Sequence, residues 1–120
     1  MKILNFGSLN IDYVYNVSEF VRAGETISAL STLEHPGGKG LNQAVAAARA
    51  GSNVFFAGNI GEDGLFLKEL LESSGADAKY LKINKARTGN AIIQIDKDGE
   101  NCIIVSAGAN ALLDGAYIKS

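Results

Sequence analysis

The densest chemistry in the chain sits in Gly37-Gly38-Lys39-Gly40-Leu41-Asn42-Gln43-Ala44. Glycines let backbone N–H groups come close to a ligand. A helix starting there adds unpaired N–H donors and a positive field. Lys39 supplies a charge, and Asn42 an amide that both donates and accepts. The set suits a polyhydroxylated or an anionic ligand. Two nucleotide-binding loops are excluded by spacing. The pattern G-x-x-x-x-G-K-[ST] fails because Lys39 is followed by Gly40. The pattern G-x-G-x-x-G fails because Gln43 stands where its last glycine belongs. The competing reading is an ordinary Gly-rich turn ahead of a helix.

Gly7-Ser8-Leu9-Asn10-Ile11-Asp12 closes the first apolar run. If this stretch is extended, the period of two puts Asn10 and Asp12 on one face. A carboxylate that accepts and an amide that does both suit sugar hydroxyls. An Asx turn is the bland alternative. Thr88-Gly89-Asn90-Ala91 enters a later strand, where a plain strand-start turn competes. His35 reads as a loop residue and Cys102 as packing. Glu62-Asp63 reads as a helix cap, and Tyr13 and Tyr15 as packing residues.

Positioning these groups falls to elements that the pattern predicts. Strands are expected over 2–7, 11–17, 26–34, 53–60 and about 80–83. Pro36-Gly37-Gly38 breaks the chain, and Gly51 stops an Ala-rich helix over 41–50. Asp63 caps a helix over 64–74, with Phe66, Leu67, Leu70 and Leu71 as its apolar stripe and Gly75 as its end. Two strands, 90–96 and 101–106, flank Lys97-Asp98-Gly99-Glu100, a hairpin signal. Asp114 could cap a further helix. The strand–helix alternation implies an α/β fold, a parallel sheet with flanking helices. Segments 11–34 and 90–106 break it and read as an antiparallel accessory sheet. The final helix would have six residues, so the chain is expected to stop inside a larger domain.

Composition narrows the classes. With 120 residues and 47% hydrophobic content, the chain can build one core without staples. A net charge of −2 and a pI near 5.3 argue against nucleic acid or an acidic membrane as partner. One Cys and one His exclude a disulfide framework and a Cys- or His-based metal site. No signal peptide or membrane span is legible, so a reduced cytoplasmic protein is expected.

Taken together and in order, the motifs resemble the ribokinase family of sugar kinases, of the phosphofructokinase-B type. The resemblance rests on Gly7-Ser8-Leu9-Asn10-Ile11-Asp12 and on Pro36-Gly37 running into Gly38-Lys39-Gly40-Leu41-Asn42-Gln43-Ala44. Ala57-Gly58-Asn59-Ile60-Gly61-Glu62-Asp63, Thr88-Gly89 and Ala107-Gly108-Ala109-Asn110 continue it over essentially the whole chain. Asn90 departs from the small or apolar residues common at that place. The resemblance implies a ribokinase-like sheet flanked by helices, with a small β lid made of segments 11–34 and 90–106. It implies transfer of the ATP γ-phosphoryl group to a sugar hydroxyl, ribose first, with magnesium and often potassium. Asn10, Asp12, Gly38, Lys39 and Asn42 match the family's sugar-binding positions, and Thr88 and Gly89 lie near its lid hinge. The family's catalytic Asp, in a Gly-Ala-Gly-Asp type motif, is matched by nothing here and is expected beyond Ser120, as are the nucleotide and cation segments. Residues 1–120 therefore read as the N-terminal, sugar-binding part of a kinase truncated before its C-terminal half and inactive alone. The alternative is a truncated relative that holds a sugar without phosphorylating it. Apolar residues on the lid, Tyr13, Tyr15, Ile93 and Ile95, suggest a homodimer through it.

Overall fold

The computed structural model describes residues 2–112. Three strands, β1 (Lys2–Phe6), β4 (Asn53–Gly61) and β5 (Asp77–Asn84), form a parallel sheet in the order β1-β4-β5. Helix α1 (Lys39–Arg49) links β1 to β4, and α2 (Leu65–Ser73) links β4 to β5. Alternation along β4 sends Val54, Phe56 and Ile60 to one face. There they join Leu41, Ala44 and Ala48 of α1 and Leu67 and Leu71 of α2 in one buried cluster. The alanines of α1 let the helix sit close to the sheet, and each large aliphatic side chain buried contributes about 1.5–3 kcal/mol.

Both helices end as predicted. The Gly51 and Ser52 N–H groups donate to the Ala48 and Ala47 carbonyls, and the Gly75 and Ala76 N–H groups to those of Glu72 and Leu71. This reciprocal pattern satisfies carbonyls that a helix end leaves open. The start of α2 departs from expectation. A 3-10 turn over Glu62–Gly64 precedes it, Gly64 stands at its cap position, and no side chain caps it. Asp63 is drawn away by Thr88, as described below.

A second sheet runs β3-β2-β6-β7, from β2 (Asn10–Asn16), β3 (Ser31–Gly37), β6 (Gly89–Ile95) and β7 (Asn101–Ser106). The pairs β2–β3 and β6–β7 are antiparallel. The central pair β2–β6 is parallel, because both strands leave the first sheet in the same sense. The strand expected over 26–34 lies at 31–37 instead. Its register is set by β2, which pairs Asn10 with Gly37 and Asn16 with Ser31. Pro36 is tolerated because β3 is an edge strand, where the missing N–H breaks no ladder. The helix expected at Asp114 lies outside the described residues, the last of which form a 3-10 segment over Gly108–Leu112.

Candidate functional site

The site forms where β2 leaves the first sheet. Leu9 and Ile11 are buried in the core, so Asn10 and Asp12 turn to the opposite face, where both are half-buried. Register then assembles motifs that are far apart in sequence. Asn10 lies between Gly37 of β3 and Gly89 of β6, and Asp12 between His35 and Ala91. A Cβ at Gly37 would stand 2.5 and 2.6 Å from the two Asp12 carboxylate oxygens, so only glycine admits that carboxylate. Gly38 has φ +99°, and a Cβ there would stand 2.7 Å from the Ser8 carbonyl oxygen. These two glycines seat the start of α1 against the β1–β2 turn, where the Leu41 N–H donates to the Ser8 carbonyl at 3.0 Å. Lys39 and Asn42 occupy the exposed first turn of α1, and no hydrogen bond joins either to Asn10 or Asp12.

Thr88 is fully buried at the foot of β6. The Gly61 N–H donates to its Oγ1 at 2.8 Å. Thr88 in turn donates to Asp63 Oδ1, from its hydroxyl at 2.7 Å and from its N–H at 3.0 Å. Arg87 stands 3.8 Å from the other Asp63 oxygen and lies over the Tyr13 ring at 5.7 Å. Burial alone would raise the Asp63 pKa. The hydrogen bonds from Thr88 and the charge of Arg87 outweigh it and hold the carboxyl below its ordinary value. This tie fastens the entry of the second sheet to the end of β4.

Several expectations change in three dimensions. His35 is a strand residue opposite Asp12, not a loop residue. Cys102 is exposed on β7, not packed. Asp63 ties Thr88 rather than capping a helix, a partnership across 25 residues that local pattern cannot reveal. Asn90 pairs in register with Ile11, away from the Asn10–Asp12 face, and its Nδ2 donates to the Thr88 carbonyl. Tyr13 and Tyr15 share the Ile11 face, whereas Ile93 pairs with Val14 and shares the Asp12 face with Ile95. The four lid residues are thus divided between two faces. Sequence reasoning gave no role to Asn110, whose amide bonds the Leu9 backbone and the Asn10 side chain.

The face that carries Asn10 and Asp12 continues into Ala91, Ile93, Ile103 and Val105. It offers hydrogen-bonding groups at one end and apolar surface at the other. That combination can seat a small polyol by its hydroxyls and cover its carbon skeleton. Among the described residues no group of three or more His, Cys, Asp or Glu side chains could hold a metal ion. No described helix is long and apolar enough to cross a membrane.

Known proteins share this fold. Residues 1–119 match the profile of the pfkB family carbohydrate kinases. The chain is 39% identical over 116 residues to a ribokinase of Haemophilus influenzae, covering 94% of this chain and 38% of that protein. It superimposes on the ribokinase of Cryptococcus neoformans var. grubii in complex with ADP, with a TM-score of 0.86 and 49% identity over 90% of this chain and 35% of the other. It also matches Arabidopsis thaliana ribokinase complexed with ribose and ATP, with a TM-score of 0.82 and 35% identity over 91% of this chain and 36% of the other. The chain thus spans well under half the length of these relatives. Matched over nearly all its length and folded as they are, the chain belongs to the pfkB family of carbohydrate kinases.

Proposed function

We propose that this chain is the acceptor-binding part of an ATP-dependent sugar kinase, and that ribose is the sugar. The observation that carries the reading is the row Gly37–Asn10–Gly89 beside His35–Asp12–Ala91. It sets a carboxylate and an amide against glycine backbone at the start of α1. In this reading Asp12 accepts hydrogen bonds from sugar hydroxyls and Asn10 bonds a neighbouring oxygen. Gly38 brings backbone to the ligand, and Lys39 and Asn42 close the rim from the first turn of α1. The second sheet acts as a lid, hinged at Thr88 and Gly89. The Arabidopsis relative, 35% identical and complexed with ribose and ATP, supports ribose as acceptor and ATP as donor.

Transfer of a phosphoryl group is positioning plus electrostatics: a base at the acceptor hydroxyl, donors around the γ-phosphate and a held metal. The described residues supply the acceptor site. Among them no group of three or more His, Cys, Asp or Glu side chains is gathered to hold a metal ion. The catalytic base, the nucleotide site and the cation sites are assigned to the remainder of the kinase, beyond Ser120. The chain alone is therefore inactive. We further assign a homodimer through the lid and a cytoplasmic setting.

The test is a coupled ADP-release assay on the intact polypeptide that carries this chain, with ATP, magnesium and potassium. Ribose, deoxyribose, fructose and a nucleoside are compared. The highest kcat/KM is expected for ribose. A higher value for another acceptor would reassign the substrate, and no sugar-dependent ADP release would favour a non-catalytic sugar-binding module.

A further inference from the structure

Asn110 lies in the segment that follows β7, and its side chain reaches back 101 positions in sequence to Leu9. Its Oδ1 accepts the Leu9 N–H at 3.0 Å, and its Nδ2 donates to the Leu9 carbonyl at 3.1 Å. One amide thus pairs both backbone groups of a wholly buried residue, where the chain passes from β1 into β2. Left unpaired, those groups would carry a desolvation cost. The backbone beside it fastens the other crossing, as the Ala109 N–H donates to the Arg87 carbonyl at 2.8 Å.

The third bond bears on the site. The Asn110 Nδ2 also donates to the Asn10 Oδ1, at 2.8 Å. The two ends of an amide are not interchangeable: the oxygen accepts and the nitrogen donates. With its oxygen engaged by Asn110, Asn10 has its Nδ2 left over, and no described group bonds that nitrogen. Gly89 is part of the same device. A Cβ there would fall on the Asn110 Nδ2 and stand 2.7 Å from the Asn10 Oδ1.

We infer that Asn110 is a positioning residue that fixes the amide orientation of Asn10, so that Asn10 meets the sugar as a donor while Asp12 meets it as an acceptor. The inference rests on the sugar-binding reading of Asn10 above. It assigns the ligand's complement: an oxygen that accepts from Asn10, next to a hydroxyl that donates to Asp12.

The experiment is steady-state kinetics on the intact polypeptide, with ribose and ATP varied separately. In Asn110→Asp the new carboxylate still accepts the Leu9 N–H but cannot donate to Asn10. The sugar KM is expected to rise about tenfold, the worth of one hydrogen bond, with kcat and the ATP KM held within about twofold. Combining it with Asn10→Ala should give the sugar KM of Asn10→Ala alone, because Asn110 reaches the sugar only through that amide. Asn110→Ala, which removes the same donor without adding a charge, should show the same split and decides the matter if Asn110→Asp does not fold. Additive losses, a uniform fall in all parameters, or an unchanged sugar KM would overturn the inference. Impaired Asn10→Ala beside an unimpaired Asn110→Asp would overturn it alone. An unimpaired Asn10→Ala would remove the sugar-binding reading and this inference with it.

Discussion

At the scale of single residues, the proposed function rests on a few side chains whose neighbours are glycine. Asp12 can stand where it does only because Gly37 has no side chain to meet its carboxylate. Asp12→Ala in the intact polypeptide should weaken ribose binding at least tenfold, since a hydrogen bond to a charged group contributes about 1.5–3 kcal/mol. Calorimetric titration reads this directly. Gly38 carries a different demand, with φ +99° and the Ser8 carbonyl in the place of a Cβ. Gly38→Ala is expected to cost about 1–3 kcal/mol, seen as a lowered Tm. Much of this was legible beforehand. A period of two put Asn10 and Asp12 on one face, and the glycine run announced a close approach to backbone. What could not be read were partnerships across the chain. Asp63 with Thr88, and Asn110 with Leu9 and Asn10, are set by where strands cross, and local spacing carries no trace of them.

At the scale of elements, the tie between Asp63 and Thr88 governs how the second sheet is fastened to the first. The Asp63 carboxyl is more acidic folded than unfolded, so its contribution is complete above the ordinary carboxylate pKa near 3.8. It is lost as pH falls through the lowered folded value. Thermal unfolding followed from pH 6 down to pH 2 should therefore show a loss of Tm beginning below about pH 4. Thr88→Val removes the hydroxyl that donates to Asp63 and accepts from Gly61, and should shrink that acid-dependent loss. An undiminished acid response in Thr88→Val would show that the tie does not carry it. Elements with strong local signals matched the expectation: the Ala-rich α1, the apolar stripe of α2 and the Asp98-Gly99 hairpin. Element boundaries moved where pairing outweighed composition. β3 shifted to 31–37 because its residues are chosen by β2, and Pro36 entered it because the strand lies at an edge.

At the scale of the whole molecule, the chain is extended. Its radius of gyration is 16.2 Å, against about 13–14 Å for a compact domain of this length. Two sheets project from a shared junction and leave apolar surface open. On the face of the first sheet opposite the helices, Leu4 is 51% and Tyr80 46% exposed. On the second sheet, Val105 is 66% exposed on the Asp12 face and Ile104 68% exposed on the other. If the Asp12 face takes the sugar, as proposed, the opposite face, with its exposed Ile104, is the one open to the proposed homodimer. Light scattering of the intact polypeptide should return twice the monomer mass, and Ile104→Lys should return the monomer. A wild-type monomer at high concentration would contradict this. Which open face meets which partner depends on register, which composition does not encode. In the proposed reading this chain holds the sugar to be phosphorylated. That reading is tested most directly by ribose-dependent ADP release from the intact polypeptide, measured beside its Asp12→Asn variant. Turnover is expected in the parent, and a fall in kcat/KM of tenfold or more in the variant. Equal kcat/KM in the two proteins would contradict it.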